Sequence, residues 1–442
     1  MRSVNLPKSP NKTLAIPLES LYALKPGALW KAFREQPLPF KLLCFYYFIE
    51  YVRAQTLYPV LDILPWAQIT LLATLVTAIL DPTVKWVSHP VNRLLVSFYL
   101  VMLISSLLAF MPSQAWEERN VVLGWLLVYF LTISLVDTEK KLILFVIAYF
   151  LFNLKMAQHG TITWASRGFS FAGWGLVGSP GWFRNSGEFA IQMLIYGSLS
   201  LSFVLALRAY WGRFKRWLLV LAALTGYMAV MGASSRGAQL GLAAIAIWAL
   251  LKLKWGMRGI IVIGILVAVL FVILPDEQIA RLREMGEDAD SLQRLTYWKY
   301  ALDEVIPKFP VLGLGYHNWL AYLSFMVPEG MGPHAINQEP HNIYIQAAAE
   351  LGLAGLFIFL LLVAAAFIYN YKTRKMAAEL ENRLLFFLSY GLDAGLMGYL
   401  VAGSFVSVFY YPFFWVQLTM VVMVNHIARK LHAKRKEPDA SP

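Results

Sequence analysis

Long apolar blocks separated by short polar, basic turns dominate the chain. Most blocks are close to the ~20 residues a helix needs to cross a bilayer core. They predict about twelve transmembrane helices, near 41–61, 64–80, 94–111, 120–136, 142–157, 188–207, 217–233, 237–251, 259–274, 342–369, 384–403 and 411–428. The expected fold is therefore an all-α polytopic membrane protein. Two polar stretches exceed a turn, 158–187 and 275–340, and long loops are where function concentrates. The second should form a large helical loop between spans nine and ten. Within it, Leu295, Trp298, Leu302 and Val305 recur at helical spacing over 291–306, with Asp288, Asp290 and Ser291 at the start and Pro307 and Pro310 at the end. An amphipathic helix lying on the membrane face is expected there.

Composition agrees with the pattern: 59% hydrophobic residues and a mean hydropathy of +0.57 exceed what soluble domains carry, and 14% charged residues fall short of it. The formal charge of +12 could suggest nucleic acid. Instead, Lys and Arg cluster between the blocks, at Lys140/Lys141, 208–216, 252–258, 372–383 and 429–436, on alternate sides of the predicted spans. That asymmetry places these clusters in the cytoplasm, makes membrane lipids the expected surroundings, and leaves no nucleic-acid partner to invoke. The chain then divides into a proline-rich cytoplasmic tail over 1–40, helices one to nine over 41–274, a periplasmic loop over 275–340, helices ten to twelve over 341–428 and a basic cytoplasmic tail over 429–442. Residues 1–39 read as a tail rather than a cleavable signal. The single cysteine, Cys44, can make no intrachain disulfide.

Candidate chemistry lies on the outward polar segments, where ionisable groups at a membrane are costly to keep. His341 follows Pro340 at the mouth of the tenth block and is expected in the first helical turn, where the dipole disfavours imidazolium and a neutral ring could act as a base. Its bland reading is an interfacial histidine bonded to a loop. Arg236, in ASSRGAQL, sits in a short outward turn that positive-inside bias disfavours, so an anion, a lipid phosphate or a carbonyl should repay it. Arg294 borders the apolar face of the loop helix beside Tyr297 and Trp298; it points to the cleft or pairs with the acidic run 287–290. Arg184, in GWFRNSGEFA, is a further outward cation. Together such guanidinium groups would suit a pyrophosphate, because each can hold two oxygens at once. Trp164, Trp174 and Trp182 could stack on sugars or merely anchor the interface.

The order of SSRG, an Arg followed by Tyr-Trp on a large loop, then PHNIY and ELGLAG resembles the bacterial O-antigen ligase superfamily, which also includes Wzy-type polymerases and protein O-oligosaccharyltransferases. The resemblance is sharp only over 234–237 and 291–355. It implies an inverting, metal-independent, GT-C-like glycosyltransferase without cofactor at the periplasmic face of the inner membrane. The donor would be an undecaprenyl-pyrophosphate-linked glycan and the acceptor lipid A-core. On that resemblance Arg236 and Arg294 hold the pyrophosphate and His341 deprotonates the acceptor, while Arg184, Asn342, Tyr297 and Trp298 contact substrate. Where the superfamily often has Asn-rich sequence before the sixth span, this chain has Arg-Asn-Ser-Gly-Glu at 184–188.

Two other classes compete. A transporter could use Glu188, Glu350 and Asp393 as coupling sites, although no inverted repeat supports it and packing also explains Glu350 and Asp393. Glu350 lies nine residues past His341, on the opposite side of a helix. A metal hydrolase could recruit His317, His334, Glu339 and His341, but their spacing fits no common zinc motif.

Overall fold

A computed structural model of the chain describes residues 16–170, 175–252, 288–326 and 337–436, with 261, 264, 265 and 276. Among these the regular structure is helical, without strands. The main helices are α1 (Leu38–Val52), α2 (Trp66–Leu80), α3 (Pro90–Leu107), α4 (Arg119–Leu135), α5 (Glu139–Ser166), α6 (Ser186–Leu207), α7 (Arg213–Gly232), α8 (Arg236–Lys252), α9 (Ala289–Tyr300), α10 (Trp319–Met326), α11 (Ile343–Glu379), α12 (Arg383–Ala402) and α13 (Pro412–Lys436). By length and composition, seven helical stretches among the described residues can cross a membrane, contributed by α3 to α7, α11 and α12. The protein is an all-α polytopic membrane protein.

The sequence-derived spans differ from these helices in instructive ways. α1 and α2 have 15 residues each, shorter than a full crossing, while α8 is described for 17 residues up to Lys252. The α1 helix stops at Val52 because Arg53 takes a left-handed backbone, φ 54°, instead of continuing to 61. α5 runs on to Ser166 and takes in the start of the stretch expected to be a loop. Most of the expected ninth span, 259–274, lies outside the described residues. The proline-rich tail is not loose from residue 16 onward: the Trp211 indole donates to the Tyr22 carbonyl and Lys215 to that of Ala23.

α6 forms the axis of the bundle. Nearly all of its residues are buried, and it packs against α5, α7 and α12. Small residues let these helices approach closely, since Gly226 rests on Tyr196 and Gly391 on Ser202. Side-chain acceptors start several helices: Thr138 on α5, Asn185 on α6, Asp288 on α9, Asn342 on α11 and Asn382 on α12.

The long α11 breaks near its start. Gly352 has φ 67°, a conformation that side chains rarely adopt. Residues 310–315 cross this break and take up its freed backbone groups. Leu353 and Ala354 donate to the carbonyls of Pro310 and Val311, while Leu314 and Gly315 donate to those of Ala349 and Glu350. Ser105 of α3 closes the junction through the Leu312 carbonyl at 2.7 Å. The segment after α9 is thus built into the bundle.

The α9 helix itself corrects the expected amphipathic face. Tyr297, Ala301 and Val305 turn inward onto Leu314, Trp319 and Ala349, whereas Leu292, Leu295 and Leu302 are more than half exposed. The stripe read from spacing therefore mixes inward and outward positions.

Candidate active site

A cleft of about 1230 Å³ opens at the end of the bundle where α6, α8 and α9 begin. Arg184, Arg236, Arg294 and His341, the four strongest candidates from sequence, all line it. They come from four separate segments, 184, 236, 294 and 341, that only the fold brings together.

Helix starts contribute as much as side chains. Asn185 and Glu188 form a reciprocal capping box on α6, Asn185 accepting from Gly187 N–H at 2.8 Å and Glu188 from Asn185 N–H at 3.0 Å. The first residues of α6 and α8 face the cleft, so two positive helix ends point at whatever occupies it. Such an arrangement suits an anion. Against the three arginines stand Asp290, which also lines the cleft, and Asp288.

Arg236 does not stand bare. Its guanidinium holds Asp288 in a two-point pair at 2.6 and 2.7 Å. Asp288 also caps α9 by accepting from Ser291, and the hydrogen bonds from Arg236 hold its carboxyl well below the usual range. The pair that sequence allowed between Arg294 and the acidic run is thus made by Arg236. It ties the start of α8 to the start of α9. Arg294 has no ion pair among the described residues, and partial burial lowers its pKa.

His341 sits one residue before the N-cap of α11, not in its first turn, with a left-handed φ of 51°. Three bonds hold this strained position. The His341 amide donates to Ser407 Oγ at 2.7 Å, the Trp298 indole to the Pro340 carbonyl at 2.8 Å, and the Trp319 indole to the Gln338 carbonyl at 3.0 Å. The ring's Nε2–H donates to Gln338 Oε1 at 3.3 Å, leaving Nδ1 as the basic nitrogen. Burial and then the Arg294 charge pull its pKa down to about 4, against an opposing pull from Asp290. The ring is neutral at pH 7.

Three expected substrate contacts take other places. Asn342 spends its Oδ1 on the Tyr344 and Ile345 amides as the cap of α11. Tyr297 is buried beneath α9 with its hydroxyl bonded to Gln293, and it does not line the cleft, because the side of α9 it occupies packs onto Trp319 and Leu323. Trp298 supports the histidine loop rather than opening onto the cleft. Sequence reasoning missed Ser407 and Gln338 altogether, since neither carries a spacing signal. The Asn185/Glu188 capping box was readable but went unread.

The acidic residues considered as coupling sites are engaged. Glu188 belongs to the capping box, Glu350 accepts from the Trp319 amide at 3.1 Å, and Asp393 is held by Arg374 at 2.6 Å and Asn370 at 2.7 Å. Trp164 is core, Trp174 lies outside the described residues, and Trp182 is half-buried near the cleft. His334 also lies outside the described residues, and among those described no three possible metal-binding side chains come together.

Fold and site together define a polytopic membrane protein with a cleft lined by three arginines and a neutral histidine at one end of its helical bundle. Residues 218–360, about a third of the chain, match the family model described as O-antigen ligase. A protein of Rickettsia conorii (strain Malish 7) described as a polysaccharide ligase is 29% identical over 145 residues. That alignment spans 32% of this chain and 32% of the relative. The family match contains Arg236, Arg294 and His341 and leaves out Arg184.

Proposed function

We propose that the protein is an O-antigen ligase of the inner membrane, transferring a glycan from undecaprenyl pyrophosphate to lipid A-core at the periplasmic face, with both termini in the cytoplasm. The observation that carries this reading is the convergence of three arginines, two helix starts and one neutral histidine on a single cleft. In the proposed reaction His341 Nδ1 takes the proton of the acceptor hydroxyl, whose oxygen attacks the anomeric carbon. The bond from that carbon to the phosphate oxygen breaks, and undecaprenyl pyrophosphate leaves with the electron pair. Attack opposite the leaving group inverts the anomeric centre. Arg184, Arg294 and the helix ends meet the charge that grows on the leaving pyrophosphate. Arg236 adds charge while fixing α9 through Asp288.

Purified protein mixed with lipid-linked glycan and lipid A-core, with EDTA present and ATP absent, tests the reading. Glycan appearing on the core with wild type and not with His341→Ala supports ligation. Elongated lipid-linked chains in the same mixture would instead assign a Wzy-type polymerase. Intact donor with both proteins would defeat transfer altogether.

A further inference from the structure

The stretch EYVRAQTLYPVLDILPW, 50–66, carries no family signature, yet it builds a second cleft that joins the first. This groove of about 1180 Å³ lies among the end of α1, the start of α2 and the start of α4, and is lined by Glu50, Arg53, Asp62, Trp66, Trp125 and Trp182. Arg184 borders both clefts, and a smaller opening between Arg53, Glu188 and Tyr411 bridges them. The groove therefore adjoins the cleft that holds His341.

Its polar corner is built rather than incidental. Glu50, only 9% exposed, accepts from the Trp182 indole at 2.9 Å and faces Arg53 at 3.5 Å. Arg53 adopts a left-handed backbone, and its Nε–H is buried without an acceptor among the described residues. Gly181, at φ 96°, lets the chain pass so close that a Cβ there would lie 2.6 Å from that guanidinium. Trp182 leans on Trp125 and Tyr411. Flat indole faces alternating with carboxylates and amides match a saccharide, whose C–H faces stack on rings and whose hydroxyls donate to carboxylates.

The rim has a different chemistry. Leu57, Tyr58, Val60, Leu61, Ile63 and Leu64 form a run that is 43–85% exposed, directly beside Asp62 and Trp66. A polar groove opening onto an apolar ledge suits a molecule with a sugar head and a lipid tail. We infer that the groove over 50–66 is the acceptor subsite and that it takes a lipid-borne saccharide, its sugars against Trp66, Trp182 and Asp62 and its acyl chains along the Val60–Ile63 ledge. This rests on the glycosyl-transfer reading of the neighbouring cleft.

Two readouts in lipid nanodiscs separate the subsite from the transfer reaction: direct binding of rough lipopolysaccharide, which needs no chemistry, and transfer kinetics with lipid-linked glycan as donor. Trp66→Ala and the shape-preserving, surface Asp62→Asn should each weaken acceptor binding and raise its KM about tenfold, with donor KM unchanged. The double variant Val60→Ser/Ile63→Ser, both exposed positions, should weaken rough lipopolysaccharide but not its delipidated core oligosaccharide. A lipid-linked repeat unit used as acceptor in place of rough lipopolysaccharide shows which lipid-borne sugar is preferred; either one, with the same response to the variants, supports the subsite. Acceptor binding and KM unchanged in the groove variants would overturn the inference, as would a rise confined to donor KM, or glycosylation of a peptide acceptor that ignores the ledge variant. Normal acceptor binding by a wild-type protein that transfers nothing would defeat the enzymatic reading while leaving the subsite standing.

Discussion

At the scale of single residues, His341 makes the sharpest predictions. In the proposed reaction its neutral ring is the active form, so kcat/KM should stay level as pH falls from 7 and drop only near pH 4. Arg294→Gln removes a cation that disfavours imidazolium and should move that acid limb to higher pH, whereas Asp290→Asn should move it lower. A bound pyrophosphate would offset the Arg294 charge, so the limb of kcat should lie above the limb of kcat/KM. A wild-type limb near 6.5 in kcat/KM would contradict the buried, Arg294-facing ring. His341→Ala should cost ~10²–10⁴ in kcat with the protein still folded, since the half-buried residue lines the cleft rather than the core. At this scale the candidate residues were legible because charge or position in segments expected to face outward singles them out. Their partners were not: Asp288 was readable as a helix cap, but nothing in the order of residues says that it pairs with Arg236 rather than Arg294.

At the scale of elements, the broken start of α11 is the feature on which the site depends. Gly352→Ala would put a Cβ 2.2 Å from the Val311 carbonyl oxygen at a left-handed backbone. It should destabilise the protein by at least ~2 kcal/mol, read as a lower Tm in detergent. Glu350→Gln keeps an acceptor for the Trp319 amide and should be tolerated, while Glu350→Ala strands that buried N–H and should cost about 1–3 kcal/mol. Equal Tm for the two Glu350 variants would show that this bond does not hold α10 to α11. Helix existence was readable from the apolar blocks, because burial in lipid or in neighbouring helices demands the same composition. Helix ends were less so. α1 ends at Arg53 and α11 bends at Gly352 because long-range contacts favour those conformations, and no local propensity announces them.

For the whole molecule, the proposed orientation puts the cleft, the groove over 50–66 and the start of α11 on one side, with 139–141 and the basic end of α13 on the other. Replacing Cys44 by serine leaves no other cysteine in the chain to react. On that background Val60→Cys should react with a membrane-impermeant maleimide in intact spheroplasts, and Lys140→Cys only after the membrane is opened. The reverse pattern would invert the topology. Buried polar contacts tie neighbouring helices to one another, among them Asp393 with Arg374 and Asn425 with His89. Replacing Arg374 by Ala would leave the buried Asp393 carboxylate with Asn370 but without its cation, a loss of about 3–5 kcal/mol by the usual cost of breaking such a pair, seen as reduced yield and Tm.

The sequence by itself determined the class of this protein, its helical character and the identity of the cationic and basic side chains, because lipid imposes a length and a hydropathy that leave a direct trace in composition. Only the tertiary structure decided that Arg184, Arg236, Arg294 and His341 share one cleft and that Arg236 is already paired. It also decided that Tyr297 faces the core and that the unremarkable stretch 50–66 lines a groove adjoining that cleft. The reason is physical: which residues meet depends on how close-packed helices cross and where they break, and those choices are made by contacts between residues hundreds of positions apart.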